Sequence, residues 1–196
     1  MGTLEGKHII FLGSSVTYGA ASGGISFVEY IAKRNGCTFT KEAVSGTMLT
    51  DDEPESYISR LKGIDTSIKA DLFVCQLSTN DATKQKPIGS SDTSSDTTTV
   101  FGAIEEIVRY VSSVWHCPIA FYTSPRYGSI HYASMVNALH QIATEHKIMV
   151  IDMWSDASFN AMRKDSYMAD AIHPTEEGYL EWWTPYIERQ LQDVLK

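Results

Sequence analysis

The sequence predicts an α/β protein, a three-layer α/β/α sandwich in which a parallel sheet carries helices on both faces. Short apolar runs, rich in β-branched and aromatic residues and without polar alternation, recur along the 196 residues. Such runs are typical of strands buried on both faces. Segments with helically spaced apolar residues separate them. This alternation predicts a flavodoxin-like parallel five-stranded sheet.

The predicted strands are the apolar runs 8–12, 72–77, 118–122 and 148–151, with a fifth at 38–44. Helically spaced apolar residues predict helices around 27–32, 100–114 and 135–143. Ser, Thr and Asp dominate 89–99, which indicates an exposed loop rather than an active-site lid. No internal repeat or linker divides the chain, so we expect one domain over residues 1–196.

A last helix is predicted after His173, with Pro174 at its first position and acidic residues at the positive end of the helix dipole. Trp182 and Trp183 could together form a sugar-stacking platform, but helical spacing favours core packing for Trp183. The predicted apolar face of this helix includes Leu180, Trp183, Ile187, Leu191 and Val194.

Composition excludes several classes of partner. Sixteen Lys and Arg against 24 Asp and Glu give a net charge of -8 without a basic block, so we expect neither nucleic acid nor an anionic membrane. No apolar stretch approaches the ~18 residues that span a bilayer and no signal-peptide pattern is present, so we expect a cytoplasmic protein. Cys37, Cys75 and Cys117 form no close pair or Cys/His cluster, which predicts structural thiols and no zinc site.

A short polar segment follows the first predicted strand. Gly13-Ser14-Ser15-Val16 opens a glycine-bounded turn at the carboxyl edge of the sheet, where open α/β sheets bind ligands. The turn matches neither the phosphate-binding patterns G-x-G-x-x-G and G-x-x-x-x-G-K-[ST] nor the nucleophile elbow G-x-S-x-G. A serine here is either a structural turn residue or a nucleophile.

Asp170 and His173 stand three residues apart, just ahead of the last predicted helix. A serine hydroxyl becomes a useful nucleophile when a neutral imidazole accepts its proton, and the imidazole needs a partner that fixes its tautomer. Asp170 and His173 can meet both needs. The alternative is a helix cap with a solvent-facing histidine.

Two further turns follow predicted strands. Asn80, in Ser78-Thr79-Asn80-Asp81, can donate from its side-chain amide to the oxyanion of a tetrahedral intermediate. Gly46 can present a backbone N–H at close range. Ordinary turn roles are the alternative for both residues.

With these four positions in this order, the chain resembles the SGNH hydrolases, also called the GDSL esterase/lipase family. The resemblance covers most of the chain, from Ile9 to about Tyr179. It implies a flavodoxin-like α/β/α sandwich and neither a metal nor an organic cofactor. Ser14 stands where the family usually has Asp, and Ser78 where it usually has Gly. These departures bear on loop rigidity and catalytic efficiency more than on the type of reaction.

The resemblance also implies the role of each site residue. Ser15 would be the nucleophile, His173 the general base and then acid, and Asp170 the residue that orients the ring. The backbone N–H groups of Ser15 and Gly46 and the side chain of Asn80 would form the oxyanion hole.

The implied activity is a cofactor-free serine hydrolase that cleaves small-molecule carboxylic esters through an acyl-enzyme. The absence of a long apolar lid segment favours a short acyl group, and an O-acetylated carbohydrate is one candidate substrate. A thioesterase or lysophospholipase would use the same site. A catalytically inactive flavodoxin-like binding module and a nucleotide or flavin binder are alternatives from other classes. Arg126 and Tyr127 could line the substrate pocket, because they follow the fourth predicted strand.

Overall fold

The computed structural model describes residues 3–195 and contains a five-stranded, all-parallel sheet. The strands run in the spatial order β2-β1-β3-β4-β5, which confirms the predicted α/β class and the flavodoxin-like order. Each strand lies within one residue of its predicted bounds at both ends. Their bounds are β1 (His8–Gly13), β2 (Thr38–Ala43), β3 (Leu72–Gln76), β4 (Ile119–Tyr122) and β5 (Met149–Ile151).

Helices connect the strands and follow the last one. The predicted helices correspond to the second, fifth and sixth of these, and the predicted last helix to the eighth and ninth. The third and seventh were not predicted, and the first and fourth form where turns were predicted. Their bounds are α1 (Ser15–Tyr18), α2 (Phe27–Asn35), α3 (Tyr57–Gly63), α4 (Thr79–Thr83), α5 (Val100–Val114), α6 (Ile130–His146), α7 (Ala157–Ala161), α8 (Glu176–Gly178) and α9 (Thr184–Val194).

The sheet is covered on both faces, so the central strands β1, β3 and β4 are apolar and buried almost throughout, whereas the edge strand β2 is polar and partly exposed. Ile10 and Leu12 of β1 contact the buried residues of α3, α5 and α6. Ile9 and Phe11 point to the other face, where α2 and α9 lie. Because successive side chains of a strand alternate between faces, an uninterrupted apolar run contributes to both cores.

The last helix begins later than predicted. Thr175, not a residue before Pro174, caps it by accepting the backbone N–H of Gly178. Pro174 instead forms an isolated antiparallel bridge with Met168. The prediction of Pro174 at the first helical position was therefore wrong, because the proline closes the preceding turn.

A π-helix over Tyr179–Trp183 joins α8 to α9 and changes which side chains face the core. The wider π turn shifts the helical phase, so that Trp182 and Trp183 are only 2% and 0% exposed. Leu180, predicted on the apolar face, is 43% exposed. Neither tryptophan is available as a sugar-stacking platform.

The carboxyl ends of the central strands lie level with one another. Gly13 pairs in register with Ala43, and Leu12 pairs with Cys75. The segments that follow β1, β2 and β3 therefore meet at one edge of the sheet, as the sequence predicted. Within residues 3–195, none of the helices has the length and apolar character needed to cross a membrane.

Candidate active site

Ser15 lies at the start of α1, directly after β1 delivers Gly13 to the carboxyl edge. Ser15 is buried, with 6% exposure, yet its hydroxyl reaches a histidine from the other end of the chain. Ser15 Oγ lies 2.9 Å from His173 Nε2. This distance is that of a hydrogen bond through which an imidazole can accept the serine proton.

Asp170 holds the other side of the His173 ring. Its Oδ2 lies 2.8 Å from His173 Nδ1, and its Oδ1 accepts the backbone N–H groups of Ile172 and His173 at 2.7 and 2.8 Å. Burial alone would raise the pKa of Asp170, but these N–H groups and the ring outweigh it and hold the pKa below its ordinary value. The carboxylate is thus ionised and fixes the orientation of the imidazole.

The turn that carries Asp170 and His173 is closed by its own backbone. Ala169 N donates to His173 O at 2.9 Å, and the bridge between Met168 and Pro174 closes the turn outside it. The ring therefore projects from a short, closed loop rather than from a helix.

Gly46 lies beside the nucleophile turn. Val44 N donates to Gly13 O at 3.3 Å, which joins the segment after β2 to the end of β1. Gly46 is exposed and adopts a φ of +83°, a left-handed conformation that glycine accommodates without strain. A cavity of about 240 Å³ opens next to it and is lined by residues 45–48 and 53–55.

Asn80 is held by the same segment. Its Nδ2 donates to the backbone carbonyl of Thr47 at 2.8 Å, which engages one of its two N–H bonds and leaves the other for a second acceptor. The structure thus brings Ser15, Gly46 and Asn80 to neighbouring segments at one sheet edge, with Asn80 oriented by Thr47.

The two departures from the family pattern have different environments. Ser78 caps α4, because its Oγ accepts the backbone N–H of Asp81 at 3.3 Å; serine is a favoured residue at this position. The Ser14 hydroxyl is buried and has no hydrogen-bond partner in the described part of the chain.

Gln76, which none of the sequence motifs indicated, anchors the nucleophile turn from the end of β3. Its Oε1 accepts the backbone N–H groups of Ser14 and Thr17 at 2.9 and 3.3 Å and the Thr17 hydroxyl at 2.9 Å. These N–H groups point into the protein, whereas a phosphate-binding turn would direct them toward the ligand. A lone polar residue at the end of a buried apolar strand was the signal available in the sequence.

Asp81 is a second anchor that the sequence did not single out. It is fully buried, and its carboxylate accepts the backbone N–H groups of Leu49 and Thr50 at 2.7 and 3.1 Å. These hydrogen bonds attach the segment after Gly46 to the helix that carries Asn80.

Arg126 and Tyr127 follow β4 at the same sheet edge but differ in direction. Arg126 is exposed, and its backbone N donates to Asn160 Oδ1 at 2.9 Å. The Tyr127 ring contacts Tyr132 and Trp154, and its hydroxyl is buried without a partner among residues 3–195. Of the two, Arg126 alone presents its side chain to solvent, where a substrate could reach it.

A possible set of metal ligands lies elsewhere. Over the described residues, Glu105, Glu145 and His146 form the one group whose ligand atoms all come within 4.8 Å of each other. Glu145 and His146 end α6, which leads into β5, and Glu105 lies on α5. The group contributes nothing to the candidate active site.

Fold and site together define a class, a flavodoxin-like α/β/α protein with a Ser–His–Asp chain at the carboxyl edge of its parallel sheet. The sequence matches the model of the GDSL-like Lipase/Acylhydrolase family over residues 11–180. The chain therefore belongs to this family and is a carboxylic ester hydrolase, which confirms the resemblance seen in the sequence. No curated protein matches it significantly.

Solved structures share the fold at low sequence identity. A protein from Lactobacillus plantarum is 19% identical with a TM-score of 0.78, covering 97% of each chain. The lipase/acylhydrolase from Enterococcus faecalis is 20% identical with a TM-score of 0.71, also covering 97% of each chain. A member of the lipolytic protein G-D-S-L family from Veillonella parvula is 18% identical with a TM-score of 0.70, covering 96% of this chain and 97% of its own.

Proposed function

We propose that the protein hydrolyses short-acyl carboxylic esters through an acyl-enzyme formed on Ser15. The observation that carries the proposal is the continuous chain of hydrogen bonds from Ser15 Oγ to His173 at 2.9 Å and from His173 to Asp170 at 2.8 Å. Such a chain activates a serine hydroxyl, because the ring accepts its proton while the carboxylate stabilises the resulting imidazolium.

In the proposed reaction Ser15 Oγ attacks the ester carbonyl and His173 Nε2 takes the hydroxyl proton. The backbone N–H groups of Ser15 and Gly46 and the second N–H of Asn80 donate to the oxyanion. The tetrahedral intermediate collapses when His173 returns the proton to the departing alcohol. Water, deprotonated by the same ring, then cleaves the acyl-enzyme and regenerates Ser15.

The substrate we propose has a small acyl group, with an O-acetyl ester, such as an acetylated carbohydrate, as the leading candidate. The sequence contains no long apolar lid segment, which favours a small acyl group over a long lipid tail. A thioesterase or a lysophospholipase would use the same reaction. Profiling p-nitrophenyl esters of increasing chain length, acyl-CoA and lysophospholipid separates the three: we expect the highest kcat/KM for acetyl esters.

Arg126 is proposed as a residue at the rim of the substrate site, since it follows β4 at the carboxyl edge and its side chain is exposed. Tyr127 would act only by supporting this loop, because its ring lies against Tyr132 and Trp154. The three cysteines are free thiols, in agreement with the reducing, cytoplasmic compartment that we propose for the protein.

Covalent labelling tests the proposed nucleophile. Wild-type protein should react with a fluorophosphonate and hydrolyse p-nitrophenyl acetate, and Ser15→Ala should lose both signals. Ser14→Ala is the matched control, because it removes the neighbouring serine hydroxyl, which is buried and makes no hydrogen bond to His173. This variant should keep both signals. Labelling that persists in Ser15→Ala would show that another residue is the nucleophile.

A further inference from the structure

Arg60 is a nearly buried cation whose hydrogen-bond donors are all used. It lies on α3, and its side chain is 9% exposed. Nη2 donates to Gly13 O at 2.9 Å and to Thr47 Oγ1 at 2.8 Å. Nη1 donates to the backbone and side-chain oxygens of Glu42 at 3.1 and 3.2 Å, and Nε donates to Glu55 O at 3.1 Å. These hydrogen bonds satisfy all five N–H donors of a guanidinium.

Two of these acceptors lead to the candidate active site. Gly13 O belongs to the residue that ends β1, two residues before the proposed nucleophile Ser15. Thr47 follows Gly46, and the Thr47 hydroxyl, besides accepting from Arg60, donates to Val44 O at 2.7 Å. The guanidinium therefore joins the nucleophile turn to the turn that contains Gly46.

Thr47 extends this connection to the third oxyanion donor. The same residue that binds Arg60 through its hydroxyl accepts Asn80 Nδ2 through its carbonyl at 2.8 Å. A shift of Thr47 would thus move both the Gly46 N–H and the Asn80 amide. Oxyanion stabilisation depends on donors that are fixed before the charge develops.

We propose that Arg60 is a positioning residue that fixes the oxyanion donors Gly46 and Asn80 relative to Ser15, an inference that rests on the proposed function. Arg60 does not reach the substrate; it acts through Gly13 and Thr47. Lysine could not replace it, because an ammonium has three donors and no planar fork with which to bridge these acceptors.

Steady-state kinetics of Arg60→Ala and Arg60→Lys test the proposal. Both variants should lower kcat for p-nitrophenyl acetate by about 10²-fold, the scale of losing one oxyanion donor, and change KM by less than about threefold, since ground-state binding is not affected. Methylguanidinium at millimolar, non-denaturing concentration should restore part of the kcat of Arg60→Ala. It should not restore Arg60→Lys, whose side chain fills the site.

Asp71→Ala is the matched structural control. Asp71 also bridges segments, accepting His8 N at 2.8 Å and Lys7 Nζ at 3.0 Å, but at the start of β1 and β3, the opposite sheet edge. It should lower the melting temperature and leave kcat unchanged. A folded Arg60→Ala with wild-type kcat, or a kcat loss that Asp71→Ala reproduces, would overturn the proposal.

An NMR readout separates this inference from the esterase proposal. In Arg60→Ala the Gly46 amide and Asn80 side-chain amide resonances should shift and return toward wild type with methylguanidinium, whereas Asp71→Ala should leave them in place. If wild-type protein neither hydrolyses esters nor reacts with fluorophosphonate, the proposed function fails. If these resonances stay unmoved in a folded Arg60→Ala, the positioning role fails.

Discussion

Gln76 Oε1 lies 2.9 Å from the backbone nitrogen of Ser14 and accepts two further hydrogen bonds from Thr17. The end of β3 thereby holds the turn that carries the proposed nucleophile. The approach is so close that a Cβ at Gly13 would come within 1.8 Å of Thr17 Oγ1 and 2.8 Å of Gln76 Oε1. Only glycine fits at the end of β1.

Gln76→Met should destabilise the protein and weaken catalysis together. Methionine leaves the buried N–H groups of Ser14 and Thr17 without an acceptor, and each such loss costs about 1–3 kcal/mol. Urea denaturation should show a fall of this order in the free energy of unfolding, with a lower kcat because Ser15 is less well held. Gln141→Met, at an exposed position of α6, should change neither; an equal effect there would contradict the anchoring role.

Gly46→Ala should cost stability through backbone strain and lower kcat, because the strain shifts the backbone N–H that alanine retains at this position. Its φ of +83° is left-handed, and no atom lies within 4 Å of an added Cβ, so the strain of about 1–2 kcal/mol is the main cost. Gly6 is a matched control with a φ of +71° and equally open surroundings before β1. Gly6→Ala should lose similar stability but keep its kcat. If kcat falls no further in Gly46→Ala than in Gly6→Ala, the strain does not move an N–H on which the oxyanion depends.

Asp170→Asn should lower kcat by about 10²- to 10⁴-fold, because an amide cannot stabilise the imidazolium and favours the wrong tautomer of His173. Fluorophosphonate labelling of Ser15 should slow in parallel. Asp65→Asn is the control: Asp65 likewise accepts a backbone N–H two residues ahead, from Ser67 at 2.9 Å, but before β3 at the opposite sheet edge. If Asp170→Asn kept its kcat, Asp170 would not be the residue that orients His173.

The same carboxyl group predicts an acid-dependent contribution to stability. The pKa of Asp170 is lower in the folded protein than its ordinary value of about 3.9, so ionised Asp170 stabilises the fold above that pH. The stabilisation is lost as the pH falls through the folded-state pKa. Urea midpoints of wild type and Asp170→Asn should draw together as the pH falls from about 5 through the folded-state pKa of Asp170. The expected difference is small because the Asp170 side chain is 56% exposed. A difference between the two urea midpoints that grows as the pH falls would contradict the prediction.

The central strands could be predicted because they bury both faces, so that composition alone marks runs such as 72–77. The site residues Ser15, Asn80 and His173 could be selected because each stands after a strand or before the last helix in a family order. The resemblance implied that His173 meets Ser15, which lies 158 residues away. The contacts that hold the nucleophile turn, such as those of Gln76 with Ser14 and Thr17, could not be predicted, because they depend on how the strands pair.

The parts that were missed depend on tertiary contacts rather than local pattern. Helix α3 is short and was not predicted. In the sequence Arg60 resembles any solvent-exposed cation, because its contacts with Gly13 and Thr47 form only in the folded protein. The exposure of Leu180 follows from a π turn that 3.6-residue periodicity does not anticipate. Gln76 looked like one polar residue in an apolar strand.

The hydrogen bond between Ser15 and His173 also sets an order of assembly during synthesis. Domains form as the chain emerges at about 5–20 residues per second, amino-terminal part first. The β1 turn leaves the ribosome early, whereas His173 follows all five strands. A nascent chain can therefore form its five strands before residue 173 is translated, so Ser15 gains its proposed base only after the sheet is complete.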